Sequence, residues 1–528
     1  MNSERLRLAL LALVLVLASP VPSAGWAATL IVNARLIDGT GAPARAASVR
    51  IEADRISGVG DLVPSASDHI IDAHGLVLAP GFIDSHSHHK QDAFAERDMA
   101  PLLAEGVTTV VVGQDGSGDG PIAEVAKRFT NRPASLNLAS YTGHGYLRGK
   151  VMGADFKREA TRSEVAAMQA LLQADMAAGS LGLSTGLEYD PGIYSSHQEL
   201  IDLARTAAAS GGRYISHMRS EDVKFDAALD ELIDIGRQTG IPVQISHLKL
   251  AIVDRWGQAG QVLKKLDAAR ALGVQVTADV YPYEYWQSTM TVLFPNRDFS
   301  DRVAARFALT SLSTPEGMIV GSFAADLSLA GQTIAAIASA RHQDPVETYI
   351  ALIQQSQAYA KAHPEVEDVE SIIATSMSSA DLADFIAWPN SNICSDGSLH
   401  SRHPRGVGSF ARILRLYVRE QHRLTLESAV HKMSALSAEH VGLADRGVIR
   451  AGAFADLVIF DPDTIADHAT TSAPGAVATG VSKVWVNGAL VYADGAPTHA
   501  YAGRFLTRAA KGDPTRAVAL RDKLDARE

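Results

Sequence analysis

Gly81-Phe82-Ile83-Asp84-Ser85-His86-Ser87-His88 is the stretch on which the reading of this chain turns. Gly81–Asp84 is a short apolar run of the kind that forms a buried strand, and His86 and His88 follow it at once. In an extended segment residues i and i+2 face the same way, so both imidazoles can converge on one ion. A His-x-His pair alone is weak evidence for a metal, because exposed histidine pairs are common. What surrounds it decides.

Seven further apolar runs follow: Val107–Val112, Leu136–Ser140, Leu181–Thr185, Tyr214–Ser216, Pro242–Ser246, Val274–Asp279 and Asn392–Ser395. Amphipathic stretches such as Ser163–Ala178, Gln198–Ser210 and Ala227–Gln238 separate most of them. This alternation predicts an α/β fold, a (β/α)8 TIM-like barrel over 81–444, with function gathered at the carboxyl ends of the strands. The rhythm breaks over about 294–360, which reads as an insertion before the last barrel strand. Residues 28–80 and 445–505 share a different texture. Thr29–Asn33, Ser48–Glu52, Leu457–Phe460 and Lys483–Val486 are branched and apolar, with Asp38-Gly39 and Asn487-Gly488 as turns. The two chain ends are therefore expected to form one small β-sandwich.

Composition narrows the rest. The chain has 528 residues, 47% hydrophobic and 20% charged, a globular balance that excludes disordered, collagen-like and coiled-coil chains. A net charge of −11 without a long basic cluster argues against nucleic acid as a partner. The single cysteine, Cys394, excludes internal disulfides and Cys-rich zinc ribbons, and its place in an apolar run marks it as a small buried hydrophobe. Residues 1–27 read as a signal peptide: Arg5 and Arg7, then apolar Leu8–Ala18, then small residues to Ala27. The expected location is periplasmic or secreted, with an uncleaved anchor as the alternative and no stable membrane span after cleavage. Self-association is left open.

The metal reading gains weight from position. His217 follows the fifth run, His247 the sixth and Asp396 the eighth. A barrel brings all of these to the same rim as His86 and His88. Histidines and an aspartate suit zinc or a similar divalent ion.

At this point the sequence resembles the amidohydrolase superfamily, specifically the N-acyl-D-amino-acid deacylase (D-aminoacylase) family. The likeness rests on Ala79 to His88, Gly106 to Gly113, Ser216-His217-Met218-Arg219-Ser220-Glu221, Ser246-His247-Leu248-Lys249 and Asp279-Val280-Tyr281-Pro282-Tyr283. It continues through Thr375 to Ser378, Ser395-Asp396-Gly397, His403-Pro404-Arg405 and Gly447 to Val458, and spans about Leu30 to Phe505. One departure stands out. The family usually carries Gly-Asn-Cys-Gly after the second strand, its cysteine ligating metal, whereas this chain has Gly113-Gln114-Asp115-Gly116. Asp115 is thus either a carboxylate ligand in the thiolate's place or a plain Asp-Gly turn, and one or two ions remain open.

The chemistry expected is hydrolysis of an N-acyl amino acid, D-configured by the resemblance, with Asp396 as base and then acid. No Gly-x-Ser-x-Gly elbow supports a serine nucleophile. Arg405 offers a fork for a substrate carboxylate and Lys249 a second cation. The resemblance implies that Arg405, Lys249, Tyr189 and Ser288 anchor that carboxylate. His144, after the third strand, is a candidate substrate contact, and His403 a shaper of the Arg405 loop. His69, His197, His342, His422 and His468 sit in polar contexts and read as solvated. Arg219 and Glu221 are expected to pair behind His217. Tyr281, Tyr283 and Trp286 suggest an aromatic wall, or an aromatic core cluster. The alternatives are a metallo-dipeptidase or L-specific acylase of the same superfamily, and an exported binding protein without catalysis.

Overall fold

The computed structural model describes residues 28–509 apart from Asp119, Pro295 and Glu367. The leader expected over 1–27 lies outside the described residues. Among those described, no helix is long and apolar enough to cross a membrane.

Eight parallel strands form the barrel: Phe82–Asp84, Val107–Val112, Asn137–Ser140, Gly182–Gly186, Arg213–His217, Val243–Ile245, Val276–Val280 and Ser391–Ile393. The third strand bends after Ser140 and resumes at Thr142–Gly143, where it pairs with the fourth. The seam between the eighth and first strands closes just past the strand ends. There Ser395 N donates to Asp84 Oδ1 at 2.8 Å, Asp396 N to His86 O at 2.8 Å and His88 N to Gly397 O at 2.9 Å. Helices such as Arg162–Ala177, His197–Ala209 and Phe225–Thr239 cover the outside, their buried leucines and isoleucines merging into one apolar core with the strands.

The chain ends depart from the expected pair of sheets. They build a single nine-stranded sheet, because Thr29–Leu36 pairs with Arg45–Glu52 on one edge and with both His69–Asp72 and Val77–Pro80 on the other. Leu457–Phe460 adds antiparallel to Val77–Pro80 and carries the remaining C-terminal strands. Strands from both chain ends share one core that includes Ile31, Val49, Ile51, Leu457 and Trp485, and they belong to one hydrogen-bonded sheet.

The insertion is also larger than 294–360. It begins in a strand at Tyr285–Ser288, continues through Met318–Phe323 and ends with Glu370–Thr375, which pairs antiparallel with both. Helices Ile334–Arg341 and Pro345–Ala362 pack on this sheet around their own apolar core. Two of its strands, Tyr285–Ser288 and Glu370–Thr375, flank the range read from the sequence.

A buried polar hub ties the end sheet to the barrel. Arg446 pairs with Asp456; Asn487 N donates to Asp456 Oδ1 at 2.7 Å, and Asn137 of the third strand donates to Asp456 Oδ2 at 3.2 Å. Removing one partner strands the other charge in a low-dielectric interior. Asp456→Ala is therefore expected to lower the unfolding free energy by about 3–5 kcal/mol. Denaturant unfolding checks this; a loss below ~1 kcal/mol would show that the hub is not a fastening.

Candidate metal centre and active-site cavity

The barrel rim brings together every metal-binding candidate read from the sequence. His86, His88, Asp115 and Asp396 offer donor atoms within 4.8 Å of one another, and so do Asp115, His217 and His247. Asp115 belongs to both groups. Its Oδ2 lies 3.3 Å from His86 Nε2 and 3.3 Å from His88 Nε2, while its Oδ1 lies 3.6 Å from His247 Nε2. Asp396 Oδ1 stands 3.3 Å from His86 Nε2 and 3.2 Å from His88 Nε2.

These separations fit a metal. Ligands held ~2.0–2.1 Å from a tetrahedral zinc stand about 3.4 Å apart. His86 Nε2 and Asp115 Oδ1 are buried without a hydrogen-bond partner, a cost that a cation between them would remove. The backbone is strained in the same places: Asp115, His247 and Asp396 have φ of 53°, 36° and 50°. Left-handed backbone at non-glycine residues costs roughly 1–3 kcal/mol each and clusters at functional sites. The Asp115 turn is seated by close packing, since a Cβ on Gly186 would lie 2.2 Å from the Asp115 carbonyl oxygen.

Behind the donors stands a ring of carboxylates. His86 Nδ1 is 3.4 Å from Asp279 Oδ1, His217 Nε2 is 2.9 Å from Glu188 Oε2, and His247 Nδ1 is 3.0 Å from Glu221 Oε1. Each fixes the orientation of one imidazole and raises its basicity. Glu188 and Asp279 in these roles were not singled out by the sequence reading. Their signal was the position of both at or just past a strand's carboxyl end.

Several other expectations need correction. Arg219 does not pair with Glu221; it forks onto Glu231, with two contacts of 3.0 Å, because its side chain turns outward to the helix Phe225–Thr239. Glu221 turns inward and takes Lys249 instead, both carboxylate oxygens 2.7 Å from Nζ. Lys249 Nζ is also 2.7 Å from His247 Nδ1, and the side chain stands on the cavity wall. His144 is fully buried, bonded to Glu199 at 2.7 Å beside Arg148, and does not line the cavity. His197 is not simply solvated, its Nε2 lying 2.8 Å from Asp234.

The donors open into a cavity of about 630 Å³. Arg405, Tyr189, Ser288, Tyr281 and Trp286 line it, the last two supplying the aromatic wall, while Tyr283 is buried beneath. Arg405 gives one Nη to Asp396 Oδ2 and stacks over Tyr281 with 4.8 Å from Cζ to the ring centre. Burial would raise the Asp396 carboxyl, but Arg405, then His247 and His86, hold it well below the usual carboxylate range. Asp115 is likewise held low by His86, His247 and His88 against the effect of burial. His403 leaves the metal alone and caps the Arg405 loop, its Nδ1 accepting from Arg405 N at 3.1 Å. Cys394 is buried, its thiol pushed up by burial and by Asp279.

A parallel barrel with this donor set on its catalytic rim defines the class of metal-dependent barrel hydrolases. The model of the Amidohydrolase family matches residues 69–376 and 400–492. A D-aminoacylase of Alcaligenes xylosoxydans xylosoxydans is 36% identical over 91% of this chain and 98% of its own length. An N-acyl-D-glutamate deacylase of the same organism is 36% identical over 90% and 95%. Among solved structures, the N-acyl-D-glutamate deacylase of Bordetella bronchiseptica, complexed with zinc and a phosphonate inhibitor, superposes with a TM-score of 0.81. It shares 32% identity and covers 91% of this chain and 99% of that one. The chain belongs to the amidohydrolase family, in its N-acyl-D-amino-acid deacylase branch.

Two measurements test the centre. Burial and the Lys249 ammonium oppose a charged His247, yet Glu221, Asp396 and Asp115 outweigh them and lift it to about 9. The metal-free imidazole is therefore protonated at neutral pH, and a metal must displace that proton. Zinc loading at pH 7 should release protons, and affinity should climb as pH rises towards 9. Calorimetry in buffers of different ionisation enthalpy measures this; zero net release would show that His247 is already neutral before the metal arrives. Asp115 is tested by substitution. Asp115→Ala should lower metal stoichiometry or kcat, while Asp115→Cys should restore one tightly held zinc. Unchanged stoichiometry and rate in the alanine variant would reduce Asp115 to a turn residue.

Proposed function

We propose that the chain is a zinc-dependent hydrolase of the amide bond in N-acyl-D-amino acids, releasing a carboxylic acid and a free amino acid. Asp115, shared between two groups of donors at the mouth of one cavity, is the observation that carries this reading. One ion would be held by His86, His88, Asp115 and Asp396, a second by Asp115, His217 and His247. One or two ions fit.

A divalent cation held there supplies Lewis acidity, which polarises a carbonyl and acidifies water. The protein's own groups do the rest. Asp396, kept ionised by Arg405, accepts the proton of the attacking water and passes it to the departing amine. Arg405 has donors left over after Asp396, and these face the cavity where a substrate carboxylate can dock. Tyr189 and Ser288 stand side by side on the same cavity wall, with the Tyr189 hydroxyl 3.2 Å from His217 Nδ1. Lys249 serves the same end indirectly, by locking Glu221 against His247. D selectivity rests on the likeness to D-specific relatives, and export to the periplasm or medium rests on the residues of 1–27 alone.

Asp396→Asn should keep the fold and most of the metal while kcat falls by ~10² or more, because acid–base transfer is lost. The assay is hydrolysis of N-acetyl-D-leucine and N-acetyl-D-methionine beside their L forms and matching dipeptides. Preference for the L forms, or for dipeptides alone, would replace the proposed substrate; a wild-type rate in the variant would move the base elsewhere.

A further inference from the structure

One wall of the cavity belongs to the inserted sheet, and it carries a carboxylate with no counter-charge. Glu370 opens the strand Glu370–Thr375, lines the cavity and is only 9% exposed. Both its oxygens lie 2.9 Å from Met290 N. Among the described residues no lysine, arginine or histidine comes within ion-pairing distance of it. Three other acidic groups of the cavity are differently placed: Glu221 has Lys249, Asp396 has Arg405 and Glu188 has His217. Arg402, also on the wall, is anchored to backbone, Nε donating to Gly321 O at 3.1 Å and one Nη to Thr471 O at 3.3 Å, and forms no ion pair with Glu370. Burial pushes the Glu370 carboxyl up to about 7, the mark of an uncompensated charge.

A structural duty does not explain an acid here. Accepting from Met290 N needs only a carbonyl oxygen, which glutamine supplies without the cost of burying a charge. The carboxylate makes sense if its counter-ion arrives with the ligand. Asp368, two residues earlier and exposed, lines the same cavity and adds to its negative potential. We propose that Glu370 receives an ammonium or guanidinium group carried by the substrate, so that this chain favours cationic over acidic substrates. The inference rests on the amide-hydrolase reading above and names its substrate class. The cation can sit on the side chain of the released amino acid or, as a free amino group, on the acyl portion.

The test uses the zinc-loaded full chain with N-acetyl-D-lysine, N-acetyl-D-norleucine, N-acetyl-D-glutamate and glycyl-D-norleucine. Wild type should show kcat/KM about tenfold or more higher for a cationic substrate than for N-acetyl-D-norleucine, with glutamate lowest. Glu370→Gln should erase that advantage and leave the norleucine substrate within about threefold, which also shows that the variant folds. Loss confined to N-acetyl-D-lysine places the cation on the side chain; loss confined to glycyl-D-norleucine places it on the acyl portion. Equal losses on all substrates, or no loss on any, would overturn the proposal. Calorimetric binding of N-acetyl-D-lysine and N-acetyl-D-norleucine to both proteins separates the two readings. Glu370-dependent binding without turnover would sink the hydrolase reading alone, turnover without Glu370 dependence would sink the inference alone, and neither binding nor turnover would sink both.

Discussion

Everything at the rim depends on the carboxylate of Asp115 serving two groups at once. Oδ2 faces His86 and His88 while Oδ1 faces His247. A thiolate at this place presents one soft atom, whereas a carboxylate presents two hard ones that can bridge neighbouring cations. That geometry needs a rigid turn. Gln114 supplies it from within, donating to Ser85 O at 2.9 Å and so lashing the second strand's loop to the first, next to His86. Gly145 N donates to Gly116 O at 2.9 Å and fixes the other side. The left-handed backbone at Asp115 is thus held by its surroundings, as stored strain must be.

Charge balance then explains the outer residues. Imidazoles and carboxylates buried together would be costly if any one stood alone. Asp279 answers His86, and it also accepts from His247 N and from Gln244 Nε2, each at 2.7 Å, so that one buried acid sets the sixth and seventh strands in register beneath the centre. Glu221 is shared by His247 and Lys249, which relieves the site of an unpaired anion. The positions of these charges follow from one another.

The sequence was legible where chemistry and local geometry coincide. Histidines directly after apolar runs marked the barrel rim, because a parallel barrel gathers all strand ends on one side whatever the distances along the chain. It was less legible where partners are chosen in three dimensions. Arg219 and Glu221 sit two apart, yet past the end of a strand the chain turns and the alternation rule lapses, so one points to a helix and the other to the centre. His144 likewise follows a strand, but it heads the helix His144–Met152 and is drawn into the buried Arg148–Glu199 pair. The single continuous sheet escaped notice for a related reason: nothing local in Thr29–Leu36 says that one edge will serve two partners in succession.

Barrel and insertion divide the labour of the cavity. The barrel supplies donors fixed by strands whose hydrogen bonds leave little freedom, while the inserted sheet supplies Ser288, Ser371 and Glu370 from a layer with a separate core. Arg405 couples the two functions. One Nη holds Asp396 Oδ2, and the rest of the guanidinium looks into the cavity. A substrate carboxylate docking on those free donors would share the positive charge that now keeps Asp396 ionised and weakly basic. One side chain thus fixes the base and offers the dock, so that substrate and base are aligned by the same group.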